Sequence, residues 1–448
     1  MGVHNEPLRL GPTLSPSARL AAQRMRPGRA AWVALAILCF VYALNFLDRQ
    51  LLSILAKPIQ DDLGVTDGQL GRISGFYFAL FYCLIAIPVG WLADRANRVR
   101  VLSFACALWS AATVACGLTS TYPQLVLARM SVGVGEAGGV PPSYALISDY
   151  FPSGTRGMAL GIYNLGPPIG QALGIAFGAS IAAAYSWRTA FVSLGAVGII
   201  AALVVFLFVS EPERGGLDRT GAGPVARRDM PPAFWATCSL FFRRRILLLV
   251  ALASGATQFV TYAVLNFTTL FLMREKGMTL REVALYYALL VGIAIGAGIY
   301  TSGRLIDWLT PLSKRAYAYV PALALLAAVP FFVGFAWAPH WPLALAFLAV
   351  PTFLNYFYLS PAVALVQEAV EPRQRVLSGA LLLLVMNLIG LGLGPTYLGA
   401  ASDYFRAGHP GNSLQLAFYT LVPFYFLAVV LFLALSRALG RETLDAGK

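Results

Sequence analysis

Apolar and polar positions along this chain are sorted into long blocks, without the short alternation of half-buried strands. Predominantly apolar stretches recur at 31–56, 70–93, 99–119, 123–148, 157–183, 188–210, 246–273, 281–303, 316–338, 342–368, 375–403 and 412–436. Each is long enough, as a helix, to cross a bilayer core that needs about 20 residues. The pattern predicts an all-α membrane protein with twelve transmembrane helices. A polar segment rich in Gly, Pro and Arg, 211–245, divides them six and six. The expected organisation is an N-terminal tail (1–30), a six-helix half (31–210), a linker (211–245), a second six-helix half (246–436) and a C-terminal tail (437–448). Within the linker, PPAFWATCSLFFRRR (231–245) reads either as an amphipathic helix on the membrane surface or as a positive stop before the seventh span.

Composition supports the same class. Of 448 residues 58% are hydrophobic and 12% charged, where a soluble protein carries about a quarter charged residues. The net charge of +13 raises the question of a nucleic-acid partner. However, most of the Lys and Arg lie in the tails and even-numbered loops, and Arg49 and Arg129 lie inside helices. That bias is the positive-inside signature and assigns both termini to the cytoplasm. Membrane lipids, not nucleic acid, are the expected partners of the basic surface. Cys39, Cys83, Cys106, Cys116 and Cys238 form no disulfide framework and read as small apolar packing. The first span is too long for a cleavable signal and lacks a small-residue cleavage site, so the polar start reads as a cytoplasmic tail. The Ala-, Arg- and Gly-rich composition and short loops suggest a bacterial inner-membrane protein.

The halves echo one another. GWLADRANRVR (90–100) follows the second helix and GRLIDWLTPLSKR (303–315) the eighth; both set Gly, Leu and Asp at one spacing. FPSGTRG (151–157) is loosely matched by EPRQRV (371–376). Internal duplication of this kind builds many secondary transporters, with the substrate site at the repeat interface. Asp94, Arg95, Arg98 and Asp307, at helix ends, are candidates for state-locking pairs. Gly166 and Pro167, in GIYNLGPPIG (161–170), are candidates for close helix approach and bending. GWLADRANRVR resembles the loop 2–3 signature of the major facilitator superfamily, with Asn97 where Gly is usual, and GIYNLGPPIG resembles its antiporter-type signature. The resemblance covers nearly the whole chain and implies the twelve-helix, two-half transporter fold.

Asp48 and Glu136 are the acidic residues placed deep within helices, and Arg49 and Arg129 the matching bases. Each such charge costs roughly 2.5–3.5 kcal/mol at a helix centre on insertion scales, so four on two helices need a reason. Arg129 and Glu136, seven residues apart, share a helix face. One reading is a static clasp between the first and fourth helices. The other is a working site: GVGEAGGVPP (133–142) surrounds Glu136 with helix-weakening residues, and a buried carboxylate near a guanidinium is a group poised between two protonation states. The second half supplies amides and rings instead: Phe259, Tyr262 and Asn266 on the seventh helix, Asn355 and Tyr356 on the tenth, Asn387 on the eleventh. A charged wall facing an aromatic, mildly polar wall suits an amphiphile with an ionic head and aliphatic tail.

NFLDRQ (45–50), RMSVGVGEAGGVPPSYALISDYFP (129–152), SWRTAF (186–191) and EPERG (211–215) resemble the Spinster branch of that superfamily, which includes transporters of sphingosine-1-phosphate and lysophospholipids. The resemblance implies head-group binding by Arg49 and Arg129 and proton coupling by Glu136 and Asp48. The Gly-Glu-Ala element and Trp-Arg loop also resemble organic-anion symporters. The expected function is therefore proton-coupled transport of an amphiphilic, lipid-like anion by a monomer, with a drug or organic-anion carrier as the alternative. A membrane enzyme would need a nucleophile with its base or a metal set; His4, His340 and His409 lie in the tail and loops, and no P-loop is present. No cofactor or metal is expected. A sensor would not need two symmetric halves.

Overall fold

The structure is a computed structural model describing residues 27–213, 234–371 and 374–445. The tail through residue 26, the linker at 214–233, residues 446–448 and the Asp94 side chain lie outside the described residues. The first half comprises α1 (Arg29–Ile54), α2 (Asp67–Arg72 through Ile73–Tyr77 into Phe78–Arg95), α3 (Arg98–Gly117), α4 (Tyr122–Glu136, then Val140–Tyr150), α5 (Ser153–Tyr163, then Gly166–Ala184) and α6 (Trp187–Phe208). The second comprises α7 (Arg245–Arg274), α8 (Leu280–Leu309), α9 (Ala316–Trp337), α10 (Trp341–Ala369), α11 (Leu377–Arg406) and α12 (Ser413–Arg441). Eleven of these are long and apolar enough to cross a membrane. The twelfth crossing, α4, is interrupted at Ala137–Gly139, which divides it into two shorter helices.

The repeat extends further than the loop motifs. Gly64 and Gly277 adopt φ of 64° and 73°, left-handed conformations that favour Gly. Each is followed two residues later by a Thr that opens a capping box, Thr66 with Gln69 and Thr279 with Glu282. A π-helical turn follows in both, Ile73–Tyr77 in α2 and Val283–Tyr287 in α8. Phe234–Arg243 forms a short helix before α7; Phe241 is buried while Trp235 and Phe242 are exposed.

An even number of crossings brings the described chain's start and finish to one end of the bundle, the terminal end; the opposite end is the far end. The halves meet along α2–α11, α5–α8 and α1–α7. At the far end α2 and α11 are in backbone contact: a Cβ on Gly399 would lie 2.3 Å from the Asp67 carbonyl oxygen, and only glycine permits that approach. At the terminal end, Val140–Tyr150 of α4 and Leu359–Ala369 of α10 pack chiefly within their own halves. The halves are thus tied together at the far end, while these two terminal-end segments pack within their own halves.

Candidate functional site

Successive residues on a helix project about 100° apart, so neighbours in sequence reach different partners. Asp48 turns toward α3 and α4: its carboxylate accepts from Arg129 Nη1 at 3.1 Å and Thr113 Oγ1 at 3.0 Å. Arg49 turns to the broken segment of α4, where Nε donates to Glu136 Oε2 at 2.7 Å. The adjacent Asp-Arg pair therefore forms two crossed ion pairs with the Arg and Glu of α4. Asp48 and Arg129 are each 2% exposed and Glu136 0%. Among the described residues, Glu136 Oε1 and Arg129 Nε find no hydrogen-bond partner.

The surroundings explain how these charges are tolerated. The Arg49 guanidinium lies 4.8 Å from the Phe46 ring, 4.9 Å from Tyr82 and 5.2 Å from Phe78, each within cation–π range. Arg129 sits 5.5 Å from Phe78 on the other side. The glycines around Glu136 serve packing as well as bending. A Cβ on Gly135 would lie 2.6 Å from the Trp109 backbone nitrogen, so the residue before Glu136 must be small for α4 to reach α3. Glu136 ends the first segment of α4, beside the interruption, where its carboxylate turns toward α1.

The second half approaches this cluster through Tyr262, which interacts with Arg49. Tyr356, from the same half as Tyr262, lies within electrostatic range of it and close to Gln171 of α5. The other expected wall residues are placed differently. Phe259 stacks on Phe424 at 4.5 Å and meets Tyr397 at 5.5 Å, within the second half. Asn266 donates to the Tyr262 carbonyl at 2.9 Å. Asn355 is bonded to Tyr425 on α12. Asn387 begins a π-helical turn, Asn387–Leu393, in α11, where the helix packs on α7.

The candidate gating residues also separate. Arg98 is 5% exposed and clamps the terminal end of the first half, with Nη1 2.5 Å from Asp149 and Nε 2.6 Å from Glu211. Glu211 also accepts from the Val99 backbone at 3.1 Å, which accounts for the EPERG segment. Arg95 is exposed and lies over the Trp91 ring at 4.1 Å; Asp307 is exposed at the terminal end of α8. Gly166 and Pro167 open the second segment of α5 against Tyr42, at a seam inside the first half and not between the halves.

A second charge cluster, at the far end, was not expected from sequence. Asp67 is fully buried and receives Arg274 as a fork, at 2.9 and 2.8 Å, together with Ser402 at 2.6 Å and Gln60 at 2.5 Å. Asp403 on α11 accepts from the backbone N–H groups of Asp67 and Gly68 at 3.1 and 2.9 Å. These bonds join α2 to α7 and α11 across the interface. The Trp-Arg loop has a local role nearby: Trp187 Nε1 donates to Asp62 at 2.9 Å, and Arg188 pairs with Asp62 and donates to the Thr119 carbonyl at 3.0 Å. The signal for the far-end cluster was an Asp directly after a Gly-x-Thr capping element, which reads as an ordinary loop residue.

Two six-helix halves, tied at one end around buried ionic residues, define a multi-pass membrane transporter. The chain belongs to the Major Facilitator Superfamily, which it matches over residues 38–395. It is 31% identical over 395 residues to an MFS-type efflux pump of Mycolicibacterium smegmatis, covering 88% of this chain and 90% of that protein. It is 28% identical to human protein spinster homolog 1 over 416 residues, covering 87% of this chain and 76% of the relative. Among solved structures it is similar to a bacterial homolog of the human lysosomal transporter Spinster, in an inward-facing and unoccupied conformation. That match has a TM-score of 0.84 and 28% identity, and covers 92% of this chain and 98% of the other.

Proposed function

We propose that this protein is a proton-coupled secondary active transporter of an amphiphilic anion, of lysophospholipid or sphingoid-phosphate type, working by alternating access. The observation that carries the reading is Arg49: a guanidinium at the interface between the halves, held by one buried carboxylate, ringed by aromatic faces and met by Tyr262 from the opposite half. Guanidinium remains protonated and binds phosphate or carboxylate as a fork. An arriving anionic head competes with Glu136 for Arg49. Glu136, left buried without its partner, then favours its protonated form. Cargo and proton are thereby linked through one side chain. Arg129, committed to Asp48, holds α1 against α4 and supports the head-group site from behind, with Asp48 as the secondary proton acceptor.

The basic bias of tails and even-numbered loops makes the terminal end cytoplasmic, in keeping with a bacterial inner-membrane protein that works as a monomer. The similarity to an efflux pump favours a second reading, a drug or organic-anion carrier using the same arginine. Purified protein in liposomes, given labelled lysophospholipids, sphingoid phosphates, small organic anions and cationic dyes under imposed pH gradients, separates the two. Gradient-dependent uptake of long-chain anions, weakened more for longer chains by Tyr262→Ala or Tyr356→Ala, supports the first. Each buried methylene contributes about 0.8 kcal/mol, so the loss should grow with length. Uptake confined to dyes or short anions overturns it.

A further inference from the structure

The two carboxylate oxygens of the buried Asp48 have different partners. Oδ2 takes a guanidinium N–H of Arg129 at 3.1 Å. Oδ1 faces Thr113, whose hydroxyl lies 3.0 Å from it and 2.9 Å from the Trp109 carbonyl, one turn earlier on α3. A threonine hydroxyl has one proton to give and lone pairs to receive with. Between an ionised carboxylate and a carbonyl, which both only accept, that proton can serve one of them fully. The carbonyl lies inside α3 and takes the helix bond from the Thr113 N–H, so the hydroxyl goes to the charge. If Asp48 gains a proton, the same three atoms stay bonded in the reverse order. The carboxyl O–H then donates to Thr113 Oγ1, and the hydroxyl turns to Trp109. Neither form leaves a buried donor unused, and no heavy atom has to move.

The other groups around Asp48 cannot do this. The charged and titratable ones are Arg129 and Glu136 on α4, Arg49 on its own helix and Cys116 on α3. Arg129 only donates, and Glu136 is engaged by Arg49. On the α6 side Leu194, Gly195 and Gly198 close a cavity with room for about one water, with the Ser110 hydroxyl on its wall. We propose that Thr113 is the positioning residue for the Asp48 proton, a hydroxyl that bonds the carboxyl in both of its protonation states. This rests on the reading of Asp48 as a proton acceptor and adds the group that seats the proton.

The test follows the C=O stretch that a carboxyl shows only when protonated, by infrared difference spectroscopy of purified protein in nanodiscs across a pH titration. The Asp48 band is the one missing from Asp48→Asn, and the Glu136 band the one missing from Glu136→Gln. Thr113→Val, equal in size, removes a donor to the charged form and an acceptor for the neutral form. A hydrogen bond to a charge is roughly twice as strong as one between neutral groups, so the ionised form loses more. The Asp48 midpoint should therefore rise by about one pH unit, and the band should move to higher frequency because its O–H is free. Thr113→Ser, which keeps the hydroxyl, should leave both at their wild-type values. An Asp48 band with unchanged midpoint and frequency in Thr113→Val overturns the proposal, as expected if a water in the cavity seats the proton. So does an equal change in Thr113→Ser, which marks a packing effect. No Asp48 band at any pH in the wild type removes Asp48 as a proton acceptor and this proposal with it. A Glu136 band that titrates in the same experiment then leaves the coupling through Arg49 standing.

Discussion

Replacing Asp67 by Asn should shift the protein toward the state open at its far end. In the closed arrangement the carboxylate holds both prongs of Arg274, at 2.9 and 2.8 Å, and the Ser402 hydroxyl at 2.6 Å, all from the opposite half. Asparagine keeps the size but removes the charge, and turns one oxygen into a donor facing donors. The Arg274 side chain, 14% exposed, is left largely buried with only Glu275, 3.8 Å away, as a counter-ion. Removing one partner of such a buried pair costs about 3–5 kcal/mol. When the far end opens, both groups are hydrated and the loss disappears, so the cost falls on the closed state alone. Taking the lower bound of about 3 kcal/mol, the closed-to-open ratio falls about a hundred-fold. A protein 99:1 closed would become roughly evenly divided. Spin labels at Ser120→Cys and His409→Cys, exposed in far-end loops of opposite halves, report this as a second, longer distance in pulsed electron-spin measurements. A single, unchanged distance distribution in Asp67→Asn would refute the latch. The Asp403 bonds to the Asp67 and Gly68 backbone survive the substitution and make this variant gentler than loss of Asp403.

Glu136→Gln, fixed in a neutral form, should retain cargo binding and lose uptake driven by a pH gradient in liposomes. Normal gradient-driven uptake in both Glu136→Gln and Asp48→Asn would reduce the four charges to a clasp. Arg129→Ala strands Asp48 in a 2% exposed site, so its thermal stability should drop by about 3–5 kcal/mol. The double variant Arg129→Gln, Asp48→Asn should recover most of that; a wild-type melt for Arg129→Ala alone would contradict the pairing. At the far end, the hydrogen bonds from Arg188 and Trp187 hold the Asp62 carboxyl below its usual range. A lowered folded-state value means that the staple is present above about pH 4 and is lost as pH falls through the folded value. Trp187 emission should therefore change on acidification in the wild type, and in Asp62→Asn at neutral pH already; identical acid titrations of the two proteins would count against it.

The twelve crossings and the two halves were legible because the bilayer demands long apolar runs, and such runs survive any detail of packing. The deep charges were legible for the same reason, since a charge in such a run stands out. Their pairing was not. Adjacency of Asp48 and Arg49 suggests a local pair, yet the helix sends them to different partners on α4, and only the packing of α1 on α3 and α4 decides which. The second-half wall was partly legible. Tyr262 lies near Arg49, whereas Phe259 belongs to a ring cluster with Phe424, and spacing cannot tell these faces apart when every face is apolar. Asp67 was illegible for the opposite reason: it looks like any solvated loop acid. The duplicated Gly-x-Thr elements at 64–66 and 277–279 mark where both halves begin their second helix, and Asp67 departs from that symmetry by facing Arg274.

The two charge clusters also constrain how a cargo can drive the cycle. A ligand shifts a conformational equilibrium only by its difference in affinity for the two states. In the state described here the far end is held by Asp67, Arg274 and Asp403, and none of these residues takes part in the Arg49 cluster. The cargo therefore does not open the far end by competing for the latch. On the proposed function it must instead bind the alternative state more tightly, through contacts with both halves that strengthen as the terminal end closes. Arg49 on the first half, with Tyr262 already near it and Tyr356 on the second, are the groups available for those contacts. The differential affinity it supplies must match the latch, about 3 kcal/mol or more. A head group on Arg49 alone cannot do this, since Arg49 and Glu136 lie in the same half and exchange partners without moving the halves. If the cargo is the amphiphile proposed above, its tail contacts with the second half convert binding into motion, and a head group offered without its tail should occupy Arg49 and leave the far end shut.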